Sequence, residues 1–132
     1  MNITTEPLPD YVEKVIKQVT GKTWEELGND VVFTVGNNLH ARCEVPKYLM
    51  VHELVHQKQQ SESPEKWWAN YTNPAFRYQQ ELEAYKAEYK YLRVHFKAES
   101  FEVAKEWATH LSGEMYGKCV SYNKALLDIT RQ

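Results

Sequence analysis

Two histidines four residues apart, His52 and His56, enclose a glutamate, Glu53, in the pattern His-Glu-x-x-His. Residues four apart lie on one face of a helix, so both imidazoles can present a nitrogen to one zinc ion at about 2.0 to 2.1 Å. Glu53 is displaced by about 100° from His52 around the axis, which suits a general base for a zinc-bound water and not a third ligand. The pattern therefore predicts a zinc site with hydrolytic chemistry, in which Glu53 is catalytic.

The segment that carries this motif is predicted to be a helix from Lys47 to Gln60, with Pro46 at its first position. Tyr48, Leu49 and Val55 flank the two histidines on the helical wheel, so the histidine face is predicted to point toward the core. Imidazoles beside an apolar stripe need partners, and a metal ion supplies one. The alternative is a helix that carries two surface histidines by chance.

A third zinc ligand is expected on the long helix predicted from Asn73 to about Phe96. Measured from the centre of its apolar stripe, Glu81 lies at about 60°, Glu88 at about 80° and Glu83 at about 140°. Glu81 is therefore the carboxylate best placed to face a neighbouring helix, Glu88 is the reserve, and Glu83 is predicted to face solvent. The stripe itself consists of Tyr78, Leu82, Tyr85, Tyr89, Leu92 and Phe96.

A third histidine within the motif, as in HExxHxxGxxH, is excluded because those positions hold Gln59 and Glu62. The chain instead resembles the gluzincin branch of the zincin metallopeptidases. The resemblance rests on the motif at 52–56 and on the segment Glu-Leu-Glu-Ala-Tyr at 81–85, and it covers about residues 31–90. It implies that His52, His56 and Glu81 bind Zn²⁺, with Glu53 as base and proton shuttle.

The chain departs from the gluzincin pattern four residues after the ligand glutamate, where Tyr85 stands in the place of a frequent aspartate. A phenol at that position can still hydrogen-bond the first histidine. A second resemblance, to small HExxH proteins of bacteria and bacteriophages, rests on the segments 111–113 and 116–117.

Peptide hydrolysis also needs a donor for the tetrahedral oxyanion. The candidates are His110, Tyr116 and Arg77. The second strand of a hairpin predicted before the motif helix, Leu39 to Val45, is a candidate edge for pairing with a substrate strand, and it carries His40. The first strand of this hairpin is predicted over Val31 to Val35, and the turn at Gly36.

The remaining elements are predicted to be helical. Apolar spacing predicts a first helix from Pro7 to Val19, and serine or asparagine followed by proline predicts helix starts at Ser63 and Asn73. Two further helices are predicted over Ser100 to His110 and Ser121 to Ile129. The expected fold is α+β and mostly α-helical, a minimal zincin-like fold with a small β hairpin before the motif helix. It is expected to form one domain over residues 1–132.

Composition excludes several classes of function. A formal net charge of −2 over 132 residues, with no run of four basic residues, disfavours nucleic-acid binding. No apolar run is long enough to span a membrane and no leader peptide is recognised, so a cytoplasmic protein without membrane contact is expected. Cys43 and Cys119 lack zinc-ribbon spacing and are expected to be reduced and partly buried.

Together these features predict a zinc-dependent metallopeptidase that acts on a peptide or protein substrate. The competing prediction is a catalytically silent protein in which the same residues hold a structural zinc for assembly or protein interaction. The basis for this alternative is the small size of the chain, because gluzincins usually have a further lobe that forms the far wall of the cleft. A metal-free helical interaction module is a third alternative.

Overall fold

A computed structural model describes residues 1–131. They fall into two compact units, residues 1–72 and residues 73–131. The described residues form six α-helices, one short 3₁₀ helix and three short strands, so the prediction of a mostly α-helical α+β fold is confirmed. That the chain forms one domain over residues 1–132 stays a prediction. Among residues 1–131, no helix is both long and apolar enough to cross a membrane.

The first unit combines a small sheet with three helices. The elements are β1 (Asn2–Thr4), α1 (Asp10–Thr20), β2 (Phe33–Val35), β3 (Asn38–His40), α2 (Lys47–Gln59) and α3 (Pro64–Asn70). Helix α1 has its acidic residues in the first turn and is capped by Gly21, whose φ of +76° is a left-handed conformation that glycine adopts without strain. The core of the unit is formed by residues of α1 and α3 and of the sheet, with Val12 and Leu39 fully buried.

The sheet has the strand order β1-β3-β2, with β1 parallel and β2 antiparallel to β3. The predicted hairpin is confirmed, but its second strand ends at His40 and does not reach Val45. The prediction that this strand is a free edge for a substrate is wrong, because β1 pairs with its other side, Ile3 opposite Leu39. A three-residue strand carries too few side chains for a period-two pattern, so the sequence did not predict β1.

The second unit is entirely helical. It contains α4 (Pro74–His95), α5 (Lys97–Leu111), a 3₁₀ helix (Glu114–Tyr116) and α6 (Tyr122–Thr130). The predicted apolar stripe of α4 is largely confirmed, but Phe96 lies beyond the helix end and is 51% exposed. The buried cluster that joins the helices consists of Tyr78, Tyr89, Ala104, Ala108, Leu111, Tyr116, Ala125 and Ile129.

Three of the predicted helix starts are fixed by side-chain caps. The Ser63 hydroxyl accepts the backbone N–H of Lys66 at 3.2 Å, and Asn73 Oδ1 accepts that of Ala75 at 2.9 Å. The Ser121 hydroxyl accepts the N–H of the third helical residue in α6 in the same way. Such caps satisfy backbone donors that have no partner inside the helix, which is why these boundaries were predictable.

The two cysteines do not match their expected environment. Cys43 and Cys119 are free, as expected, but both are exposed and not partly buried. Cys43 lies in the bend that follows β3, and Cys119 follows the 3₁₀ helix. Neither segment belongs to a packed element, which explains the difference.

Candidate metal centre

Helix α2 places both motif histidines in the interior, as predicted. His52 and His56 are each only 5% exposed, and their Nε2 atoms lie 3.1 Å apart. Two nitrogens bound to one tetrahedral zinc ion at about 2.05 Å are about 3.3 Å apart. The two imidazoles are therefore spaced as the ligands of one zinc ion would be.

A glutamine of the same helix fixes the orientation of the second imidazole. Gln59 Oε1 lies 2.8 Å from His56 Nδ1 and can only accept, so Nδ1 carries the proton and donates it. In a neutral ring this leaves the lone pair on Nε2, the nitrogen that faces His52. Hydrogen bonds of this kind at the second ring nitrogen orient metal-binding histidines in proteins.

Glu53 is also buried, with 5% of its surface exposed. Its Oε1 accepts a hydrogen bond from the Thr34 hydroxyl of β2 at 2.9 Å, and its Oε2 lies 3.8 Å from His52 Nε2. The carboxylate is thus held on one side by the sheet and faces the imidazoles on the other. This arrangement suits a base that acts beside a bound metal ion.

Trp67 of α3 packs against the ring of His56. Its ring centroid lies 5.4 Å from that of His56, and it packs edge-on against Trp68 at 5.0 Å. Both tryptophans are buried. An apolar wall of this kind lowers the local dielectric and strengthens electrostatic interactions within it.

In the second unit, the three glutamates of α4 have the exposure that the wheel predicted. Glu81 is 8% exposed and Glu88 is 3% exposed, whereas Glu83 is exposed. Desolvation lowers the pKa of His110 below its ordinary value, and the negative charge of Glu81 opposes this shift by a smaller amount. Tyr85, one turn after Glu81, stacks on Trp107 with ring centroids 4.9 Å apart.

The three oxyanion candidates cluster in this unit. Arg77 donates from Nε and Nη2 to the carbonyl of Met115, and its Cζ lies 5.8 Å from the Tyr116 ring. His110 packs edge-on against the same tyrosine at 5.3 Å. Arg77 thereby holds the 3₁₀ helix against α4, which is a structural role. That one of the three residues stabilises an oxyanion stays a prediction.

His40 is buried, although the strand that carries it was predicted to be an edge strand. The side chain is 5% exposed, and its Nδ1 lies 2.9 Å from the carbonyl oxygen of Glu6. The carbonyl accepts, so Nδ1 donates and fastens the segment after β1 to β3. The burial follows from the central position of β3 in the sheet.

Two residues of the centre were missed by sequence reasoning, Gln59 and Thr34. The contact of Gln59 with His56 could have been predicted, because a residue three positions after His56 lies on the same helix face. The contact of Thr34 with Glu53 could not, because it joins two elements 19 residues apart in sequence.

Comparison of the chain with protein-family models, with curated proteins and with solved structures gives no match.

Proposed function

We propose that the protein is a zinc-dependent peptidase that cleaves peptide bonds in a peptide or protein substrate. The observation that carries the proposal is the pair of buried imidazoles, His52 and His56, whose Nε2 atoms lie 3.1 Å apart beside the buried carboxylate of Glu53. Three ionisable side chains seldom share an apolar interior without a ligand or a chemical role. A zincin-like fold is part of the same proposal.

The proposed zinc ligands are His52, His56 and Glu81. All three side chains are buried, and each is of a residue type that binds zinc. Two imidazole nitrogens and one carboxylate oxygen are a donor set that zinc accepts in hydrolytic enzymes, with a fourth position left for water. The lone pair that the Gln59 hydrogen bond leaves on His56 Nε2 supports this assignment.

When bound, zinc supplies Lewis acidity, which polarises a peptide carbonyl and makes water a stronger acid. The part of the chain in the reaction is proton transfer by Glu53. Its Oε1 is engaged by Thr34, so Oε2 is the oxygen that takes the proton from the attacking water. Glu53 then returns this proton to the nitrogen of the leaving amine.

A second candidate is a catalytically silent protein in which the same residues hold a structural zinc. The observation that favours it is burial, since His52, Glu53 and His56 are each only 5% exposed. Structural zinc sites are closed and contribute directly to folding, whereas catalytic ones keep an open position. The two candidates share the metal ligands and differ in the role of Glu53.

Replacing Glu53 with glutamine separates the two candidates. The Glu53→Gln variant is expected to keep its zinc and to lose at least about a hundredfold in cleavage of labelled casein or a peptide library. Glu83→Gln, which changes an exposed glutamate of α4, is the matched control and should behave like the parent. If Glu53→Gln cleaves as fast as the parent, the peptidase mechanism is wrong.

Chelation gives the complementary result. A large loss of thermal stability on zinc removal, in a protein that cleaves no peptide, would favour the structural candidate. No effect of the chelator on stability or activity would favour a metal-free interaction module.

A further inference from the structure

We infer that Thr34 is a positioning residue for Glu53, whose carboxylate it orients toward the histidine pair. The inference rests on the proposed function, because an oriented carboxylate matters to catalysis only if Glu53 moves a proton. Thr34 lies on β2, outside the motif helix, and neither the motif nor the resemblance assigns it a role.

The hydroxyl of Thr34 has one proton and two oxygens of Glu53 within reach. It lies 2.9 Å from the carboxylate Oε1 and 3.4 Å from the backbone carbonyl oxygen of the same residue. The shorter distance and the negative charge both favour the carboxylate as acceptor. With Oε1 held in this way, rotation of the carboxylate is restricted and Oε2 stays near His52, at 3.8 Å from its Nε2.

Thr34 is itself anchored to the helix that carries Glu53. Its carbonyl oxygen accepts from Gln60 Nε2 at 2.8 Å and from Trp68 Nε1 at 3.2 Å. Gln60 Oε1 in turn accepts the backbone N–H of Gly36 at 2.8 Å. Gln60 follows the last residue of α2 and is only 1% exposed, so one buried amide ties both β2 and the turn after it to this helix.

Because these hydrogen bonds tie β2 to α2, they fix the distance between the Thr34 hydroxyl and the Glu53 carboxylate. The Thr34 side chain is 2% exposed, so water does not compete effectively for its proton. A base that is already oriented loses less entropy on reaching the transition state, and small misplacements of such a base reduce rates strongly.

The competing role for Thr34 is structural, since threonine is β-branched and suits a strand. The two roles predict opposite orders for two substitutions. Thr34→Val keeps the shape and the strand preference but removes the hydroxyl, whereas Thr34→Ser keeps the hydroxyl and removes the branch. A positioning role makes serine the better replacement, and a packing role makes valine the better one.

The kinetic test compares both variants with the parent on labelled casein, with zinc content measured in each. We expect Thr34→Val to lower kcat by about tenfold to a hundredfold, with KM and zinc content unchanged. Thr34→Ser should stay within a few-fold of the parent. The inference is overturned if Thr34→Val is as active as the parent, or if Thr34→Ser loses as much kcat as Thr34→Val.

A second test needs no catalysis. In the metal-free protein, unfolding is measured for Thr34→Val, Glu53→Leu and the double variant. We expect the two substitutions to be coupled by about tenfold or more in the unfolding equilibrium constant, since a buried hydrogen bond to a charged group is lost in each. Additive effects would overturn the inference.

The control for the loss of a hydroxyl is Thr20→Val, because Thr20 donates to the Ile16 carbonyl of its own helix at 2.7 Å. Its effect should add to that of Glu53→Leu without coupling. A parent that binds zinc but cleaves no peptide would refute the proposed function, and the positioning role with it. The unfolding measurement would still decide whether the hydroxyl holds the carboxylate, so the two failures are distinguishable.

Discussion

The Nε2 atoms of His52 and His56 lie 3.1 Å apart, across one turn of helix α2. Both side chains are buried, and Nδ1 of His56 donates to Gln59 Oε1 at 2.8 Å. The hydrogen bond of Gln59 therefore decides which nitrogen of His56 is free to bind a metal ion. The affinity for zinc should depend on a residue that is not itself a ligand.

Replacing Gln59 with leucine is expected to weaken zinc binding by about tenfold to a hundredfold, because the imidazole of His56 loses the acceptor that fixes its tautomer and orientation. Competition with a chelator of known affinity measures this change. Gln57→Leu is the matched control, since Gln57 lies on the same helix and donates to Asn37 Oδ1. Equal zinc affinity of the Gln59→Leu variant and the parent would contradict the assigned role.

The parts of this fold that were predictable depend on short-range sequence signals. The caps at Ser63, Asn73 and Ser121 act within three residues, so helix starts could be located from the sequence. The burial of Glu81 and the exposure of Glu83 followed from helical periodicity alone.

The parts that were missed depend on long-range contacts. The pairing of Ile3 with Leu39 changes β3 from an edge into a central strand, and nothing in either segment indicates it. The burial of His40 follows from that pairing. The hydrogen bond from Thr34 to Glu53 likewise joins a strand to a helix, so the sequence pointed to Glu53 but not to the residue that holds its carboxylate.

Tyr78 is expected to stabilise the second unit through its hydroxyl. This group donates to Asp128 Oδ2 of α6 at 3.0 Å, and the ring is 2% exposed. Tyr78→Phe should lower the free energy of unfolding by about 1 to 2 kcal/mol, because a carboxylate loses a donor. Urea unfolding at pH 7 measures the change, with Tyr122→Phe, on a 38% exposed tyrosine, as the control. No difference between Tyr78→Phe and the control would contradict this role.

The same phenol predicts how stability changes at alkaline pH. Burial, and then the hydrogen bond to Asp128, raise the pKa of Tyr78 above its ordinary value of 10.0. Above pH 10 the unfolded chain therefore releases this proton while the folded chain keeps it, so the free energy of unfolding falls as pH rises. The fall should be steeper in the parent than in Tyr78→Phe. Parallel curves for the two proteins between pH 9 and about 11 would be inconsistent with the raised pKa.

Two leucines of the second unit provide a matched test of its core. Leu111 is fully buried in the cluster that joins α4, α5 and α6, whereas Leu127 is 49% exposed. Leu111→Ala is expected to cost about 2 to 5 kcal/mol, because it removes buried methyl groups and leaves a cavity. Leu127→Ala should cost less than about 1 kcal/mol. Similar losses for both variants in chemical denaturation would contradict the packing described here.

Metal content of the purified protein tests the central claim most directly. After dialysis against zinc-free buffer, we expect one zinc per chain in the parent and loss of stoichiometric zinc in both His52→Ala and Glu81→Ala. His95→Ala and Glu83→Ala, which change exposed residues of α4, are the matched controls and should keep their zinc. Unchanged zinc content in both His52→Ala and Glu81→Ala would contradict the proposed metal site.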